Sequence, residues 1–139
     1  MKKFLTLILA LVFCSNIAFA GSINSYDKYG SKTGSYRTNG STTTSYDKHG
    51  AKTGSYKTKG NTTTSYNKYG AKTGTYKKNG NTTTQYDKYG AKVGTYKTNS
   101  NGVTTSYDKY GRKTGSYKTD SSGRTVKYNK YGQKTGSYR

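Results

Sequence analysis

From residue 21 onward the apolar positions never form a run. Most are tyrosine, set singly among Thr, Ser, Lys and Gly, and they return to the same few places about every twenty residues. The unit reads YDKYGSKTGSYRTNGSTTTS from Tyr26 and recurs from Tyr46, Tyr66, Tyr86, Tyr107 and Tyr128. The units are thus 26–45, 46–65, 66–85, 86–106, 107–127 and a partial 128–139. Thr and Tyr favour strand, and Gly30, Gly34, Gly40 and their copies break any helix. Asn39-Gly40 and Asn79-Gly80 predict two-residue hairpin turns with both central residues at positive φ. A second turn falls at Lys28-Tyr29-Gly30 and its copies. Each unit then supplies two strands, 32–38 and 41–47 in the first, for a meander of roughly ten to twelve.

A turn centred on Asn39-Gly40 pairs Thr38 with Ser41, Tyr36 with Thr43 and Thr33 with Tyr46. Tyr36 and Tyr46 then point to opposite faces. Lys32, Arg37, Lys48 and their copies stand beside the rings, so neither face is wholly apolar. The pattern predicts an all-β chain of tandem hairpin repeats in an extended meander or solenoid-like sheet, partly disordered in isolation. Such a sheet is thin and wetted on both sides, its rings stacked on lysine stems and threonine methyls. Gly34 and its copies lie mid-strand and mark a bulge or a close backbone approach. The first turn lengthens in two later units, at 99–102 and 120–123, as a loop tip tolerates.

Residues 1–20 break the pattern. Lys2 and Lys3 precede an apolar run from Phe4 to Phe13, and Ala18, Phe19 and Ala20 form a small-x-small cleavage site. This is the plan of a secretory signal peptide, with Gly21 first in the processed chain. The apolar run is shorter than the ~20 residues of a spanning helix, so no transmembrane segment is expected after cleavage. Cys14 follows Phe13 rather than the small residue that lipidation requires. The expected location is secreted, periplasmic or cell-surface. Lys2 and Lys3 leave with this segment while all five acids stay, so the net charge falls from +20 to +18. The processed chain has no Cys, and therefore neither disulfides nor thiolate metal sites. Its only aliphatic side chains are Ile23, Ala51, Ala71, Ala91, Val93, Val103 and Val126. That supply argues against a compact globule with a dry core.

Tyr26-Asp27-x-x-Gly30, followed by Gly40 and Thr42-Thr43-Thr44, resembles the YD (Rhs) repeats of bacterial surface and toxin proteins. Tyr46-Asp47-x-x-Gly50, Tyr86-Asp87-x-x-Gly90 and Tyr107-Asp108-x-x-Gly111 carry the same motif, and the resemblance covers nearly all of the processed chain. Lys32 and Lys52 stand where those repeats usually carry Leu, and Tyr66-Asn67 and Tyr128-Asn129 lack the acid. The resemblance implies repeated β-hairpins. The shells that long YD arrays build around cargo use many more units than this chain has. Gly50-Ala51-Lys52-Thr53-Gly54-Ser55-Tyr56 is more weakly similar to the choline- and glucan-binding repeats of cell-wall proteins, with Tyr in place of their Trp. Tandem MORN-like hairpins are a looser match.

The residues offer no constellation for catalysis, so the chain is read as non-enzymatic, without cofactor or metal. The single histidine, His49, fills the slot of Tyr29, Tyr69 and Tyr89 and reads as a repeat variant. Asp27, Asp47, Asp87 and Asp108 are spread one to a unit and are expected to bond their own backbone at the Lys-Tyr-Gly turn. Asn67 and Asn129 can do the same without charge. The glycines do not open a helix as a phosphate loop does, and lone acids among lysines repel calcium. What is copied is a lattice of cations and rings: Lys32, Tyr36 and Arg37; Lys52, Tyr56 and Lys57; Lys72, Tyr76 and Lys77; Lys92, Tyr96 and Lys97; Lys113, Tyr117 and Lys118. Cations at fixed pitch suit the anions of a polymer, and rings between them stack on sugars or bases. The expected partners are anionic polysaccharide, lipopolysaccharide or nucleic acid. The alternative is self-association into a curli-like fibre of stacked strand-turn-strand units.

Overall fold

The computed structural model describes residues 21–139; the expected signal peptide lies outside the described residues. Twelve strands follow in order: β1 (Gly21–Asp27), β2 (Lys32–Asn39), β3 (Thr42–Asp47), β4 (Lys52–Lys59), β5 (Thr62–Asn67), β6 (Lys72–Asn79), β7 (Thr82–Asp87), β8 (Lys92–Thr98), β9 (Val103–Asp108), β10 (Lys113–Thr119), β11 (Thr125–Asn129) and β12 (Lys134–Tyr138). Each pairs with its chain neighbours, and β1 also pairs with β12, which closes the sheet into a barrel. The all-β hairpin meander is as expected. The open or solenoid-like sheet is not what forms.

Closure follows from the register. From Ser25, a path across the ladders passes Gly34 and reaches Asp47, two residues beyond Ser45, the counterpart of Ser25. The same slip recurs at every hairpin, so six hairpins accumulate a stagger of about twelve residues over twelve strands. A stagger equal to the strand number gives a tilt of ~36°, as in narrower eight-stranded barrels. Successive units are related by a rotation of about 60° with no net rise. The last unit therefore meets the first as it would any neighbour.

The two-residue turns differ from expectation. Asn39 pairs with Thr42, so the central residues are Gly40 and Ser41. Gly40 has φ of 56°, and no described residue other than glycine has positive φ. This is the turn with glycine in the first central position, not the Asn-Gly turn. Lys59, in the asparagine slot before Gly60, is compatible only with the former. The register moves accordingly: Thr38 faces Thr43, Tyr36 faces Ser45, and Ser35 faces Tyr46. Because each partner shifts by an even number, Tyr36 and Tyr46 remain on opposite faces.

The mid-strand glycines serve both roles foreseen for them. The ladder shifts between Ser45 and Tyr46, opposite Gly54. A Cβ on Gly54 would lie 2.6 Å from the Tyr66 carbonyl oxygen on the other side. Only glycine fits beside the bulge.

One face of the sheet is enclosed. Tyr36, Tyr56, Tyr76, Tyr96, Tyr117 and Tyr138, one from each even-numbered strand, are at most 7 % exposed. Buried threonines and serines fill the spaces between them. Their hydroxyls bond in pairs across strands: Thr38 with Thr43 and Thr58 with Thr63 at 2.9 Å, Thr98 with Thr104 and Thr119 with Thr125 at 2.8 Å. The hydroxyls of Thr33, Thr53, Thr73 and Thr114 donate to Ser25, Ser45, Ser65 and Ser106, each at 2.9 Å. Among the described residues no buried side-chain nitrogen or oxygen lacks a partner. The expected sheet wetted on both sides is thus replaced by a tyrosine-filled barrel. Closure lets each ring pack against the others, and rings that bury ~150–250 Å² apiece substitute for the scarce aliphatic groups.

The network changes where its inner slots change: Lys78 faces Thr83 in a threonine slot, Lys127 faces Tyr117 in a serine slot, and two adjoining strands change together. Gln85 takes the inner serine slot, and Val93 takes the slot of the threonine that would have bonded that serine. The Gln85 amide instead donates to the Tyr76 hydroxyl at 3.2 Å and accepts from that of Tyr96 at 3.1 Å.

Candidate binding surfaces on the rim and outer belt

Six turns of one kind crowd one end of the barrel. In the first, the Asp27 Oδ1 accepts from the backbone N–H of Tyr29 and of Ser31, both at 2.9 Å. The Gly30 N–H closes back on the Asp27 carbonyl at 3.2 Å. Asp47, Asp87 and Asp108 repeat the arrangement, and Asn67 and Asn129 do so without charge. The role foreseen for these side chains is the one they have. The donors lower the aspartate pKa where a shift is evident. The Ala51 N–H contributes most at Asp47, and the Arg112 N–H most at Asp108, with the Arg112 guanidinium assisting. The lengthened turns at the other end use the same chemistry: Asn99 and Asp120 each accept from two backbone N–H groups ahead of them.

The turn geometry leaves the third residue at the tip. Tyr29, Tyr69, Tyr89, Tyr110 and Tyr131 are 71–82 % exposed, and His49 completes the circle. A lysine ammonium lies over each of these rings: Lys28, Lys68, Lys88, Lys109 and Lys130, at 4.7–4.9 Å from the ring centre. Such contacts are worth about 0.5–1 kcal/mol at exposed sites. They also draw each cation and ring into one amphipathic tip.

A second set stands on the outer wall in five of the six units. Tyr26, Tyr46, Tyr66, Tyr86 and Tyr107 are half-buried there. Arg139, Arg37, Lys57, Lys77 and Lys97 respectively lie over them at 4.6–5.8 Å.

The residues singled out from the sequence divide between wall and interior. Lys32, Lys52, Lys72, Lys92 and Lys113 are exposed at the starts of their strands, close to the tips. Arg37, Lys57, Lys77, Lys97 and Lys118 are exposed on the outer belt. Tyr36, Tyr56, Tyr76, Tyr96 and Tyr117 are inside and cannot stack on an external polymer; this part of the reading is corrected. Burial raises the hydroxyl pKa of Tyr36, Tyr56, Tyr76 and Tyr117, and of Tyr138 in the sixth unit. Other interior hydroxyls add to the rise at Tyr76, including the non-adjacent Tyr117, so these groups converge on the barrel interior. At Tyr36 a hydrogen bond with Ser25 opposes it.

The rings that meet solvent are those next to the Asp/Asn slot and at the turn tips. Sequence reasoning did not select them. The signal was the Asp/Asn-x-x-Gly spacing, which fixes the third position outward. Four of the six turns carry a carboxylate, one each; its Oδ1 is occupied by turn N–H groups, and the four stand apart around the barrel instead of converging as a pair. No family model matches the chain, and no curated protein matches it.

Proposed function

We propose that this is an exported, non-enzymatic repeat barrel that binds anionic polymers such as envelope or matrix polysaccharide, lipopolysaccharide or extracellular DNA. The observation that carries the reading is the outer belt, where Arg37, Lys57, Lys77 and Lys97 each lie over a half-buried tyrosine at near-equivalent positions. A polymer passing over the wall meets the same pair again after each rotation of about 60°, and weak contacts sum to avidity. The belt also argues that the wall faces water. A cation on the lipid face of a membrane-spanning barrel costs ~2–4 kcal/mol at mid-depth. Export rests on the pattern of residues 1–20.

A curli-like fibre is the competing reading. Among the described residues, joining β1 to β12 leaves no free ladder edge for a second chain, which favours the binding reading over stacking. The test is retention of the processed chain on immobilised heparin and on lipopolysaccharide across a salt gradient. The parent is expected to elute later than a variant with Arg37, Lys57, Lys77, Lys97 and Lys118 all changed to Gln, the two having the same circular dichroism. Equal elution would refute the electrostatic reading.

A further inference from the structure

We propose that the turn end of the barrel is a docking rim for the surface of an anionic lipid bilayer. This goes beyond polymer binding and uses different residues. The two barrel ends are unlike. Five exposed tyrosines and His49 stand at one end, while the turns at the other are built from Gly, Ser, Asn, Lys, Asp and Arg and carry no aromatic ring.

Closure makes the rim flat. The seam repeats the register of the internal pairs, with Tyr26 facing Ser137 as Tyr46 faces Ser35, so the units are related by rotation without a rise. All six tips therefore lie at one level. A plane of head-group phosphates meets all of them together, and this geometric match favours a lipid surface.

The chemistry agrees. A tyrosine has an apolar body and a polar tip and settles at the head-group level of a bilayer. The six turn lysines, from Lys28 to Lys130, are joined near this end by the six that open the following strands, from Lys32 to Lys134, and by Arg112. Four aspartates oppose them, so about half of the +18 sits at the rim. Each turn ammonium beside a tyrosine lies within 4.9 Å of its ring centre, so cation and apolar ring are presented together, and a lysine can turn its head to phosphate while its stem covers apolar surface. Basic clusters of this density attract anionic leaflets, with a range limited by salt.

The experiment is co-sedimentation of the processed chain with mixed phosphatidylglycerol–phosphatidylcholine vesicles, against phosphatidylcholine alone, at physiological salt. One variant replaces Tyr29, Tyr69, Tyr89, Tyr110 and Tyr131 with Ser; the other is the belt variant described above. The parent is expected to partition onto the anionic vesicles only. The rim variant should lose at least ~tenfold in partitioning while keeping its heparin retention, and the belt variant should show the converse. Failure of the parent to bind anionic vesicles, or undiminished binding by the rim variant, would overturn the proposal whatever heparin shows. So would a rim variant that loses heparin and keeps vesicles, which would assign the rim to a polymer. Should the rim variant not fold, brominated anionic lipid supplies a second reading in the parent. Quenching of its tyrosine fluorescence is expected, and no quenching would contradict docking.

Discussion

Ser25 lies directly opposite Tyr138 across the seam, as Ser45 lies opposite Tyr36 inside the chain. The two ends of the described chain are thus held by the ladder that holds its middle. Backbone bonds between Asn24 and Arg139, at 2.7 and 3.1 Å, continue the seam past β12.

A chain ending at residue 133 should therefore expose the edges of β1 and β11 and bring the tyrosine interior into contact with water. The expected outcome is self-association, seen as earlier elution in size-exclusion chromatography and as thioflavin binding that the full processed chain lacks. Unchanged elution would mean that the seam is dispensable.

Alkaline pH should unfold the barrel. An ordinary tyrosine ionises near pH ~10, and burial raises the folded-state values of Tyr56, Tyr76, Tyr117 and Tyr138 well above this. The stability these groups contribute is complete below pH ~10 and declines as pH rises from there through the folded values. Phenolate absorbance from the interior rings should appear only together with loss of the strand signal. Ionisation of all seventeen tyrosines with the strand signal intact would contradict an enclosed ring.

Glycines of two kinds should respond differently to alanine. A Cβ on Gly74 would meet the Tyr86 carbonyl oxygen at 2.5 Å, whereas one on Gly40 meets nothing within 4 Å but requires positive φ. Gly74→Ala should cost about 2–4 kcal/mol through displaced backbone, and Gly40→Ala about 1 kcal/mol through strain alone. Urea unfolding of the two variants measures the difference.

Changing Asp27, Asp47, Asp87 and Asp108 to Asn should leave the fold intact, because Asn67 already accepts the same two backbone bonds at 3.0 and 2.9 Å. The rim then gains four units of positive charge. Elution from heparin should move to higher salt. A collapsed circular dichroism signal would show that the turn needs a carboxylate.

Much of this architecture is legible in the residues. The period, the two turns of each unit, the Asp/Asn turn chemistry and the glycine at the bulge each have a local cause. The choice of interior face is less direct. Lys32 shares the parity of Tyr36, so a strand read without its bulge carries a cation on both faces. The bulge moves Lys32 opposite Tyr26, toward the outer wall, and leaves the Tyr36 face to Gly, Thr and Ser. Closure was not legible, because it depends on a two-residue slip summed over six hairpins. That slip is set by the turn register, and the Asn-Gly reading displaced the register. Lys59, which is unsuited to an Asn-Gly type of turn, was the available clue.

The most direct test of the closed tyrosine barrel is an NMR measurement of cross-strand contacts at the seam. The account predicts contacts between the Tyr26 and Ser137 backbones as strong as those between Tyr46 and Ser35, with slow exchange of the Asn24 amide. Seam contacts absent while the internal hairpin contacts persist would show an open sheet and contradict the account.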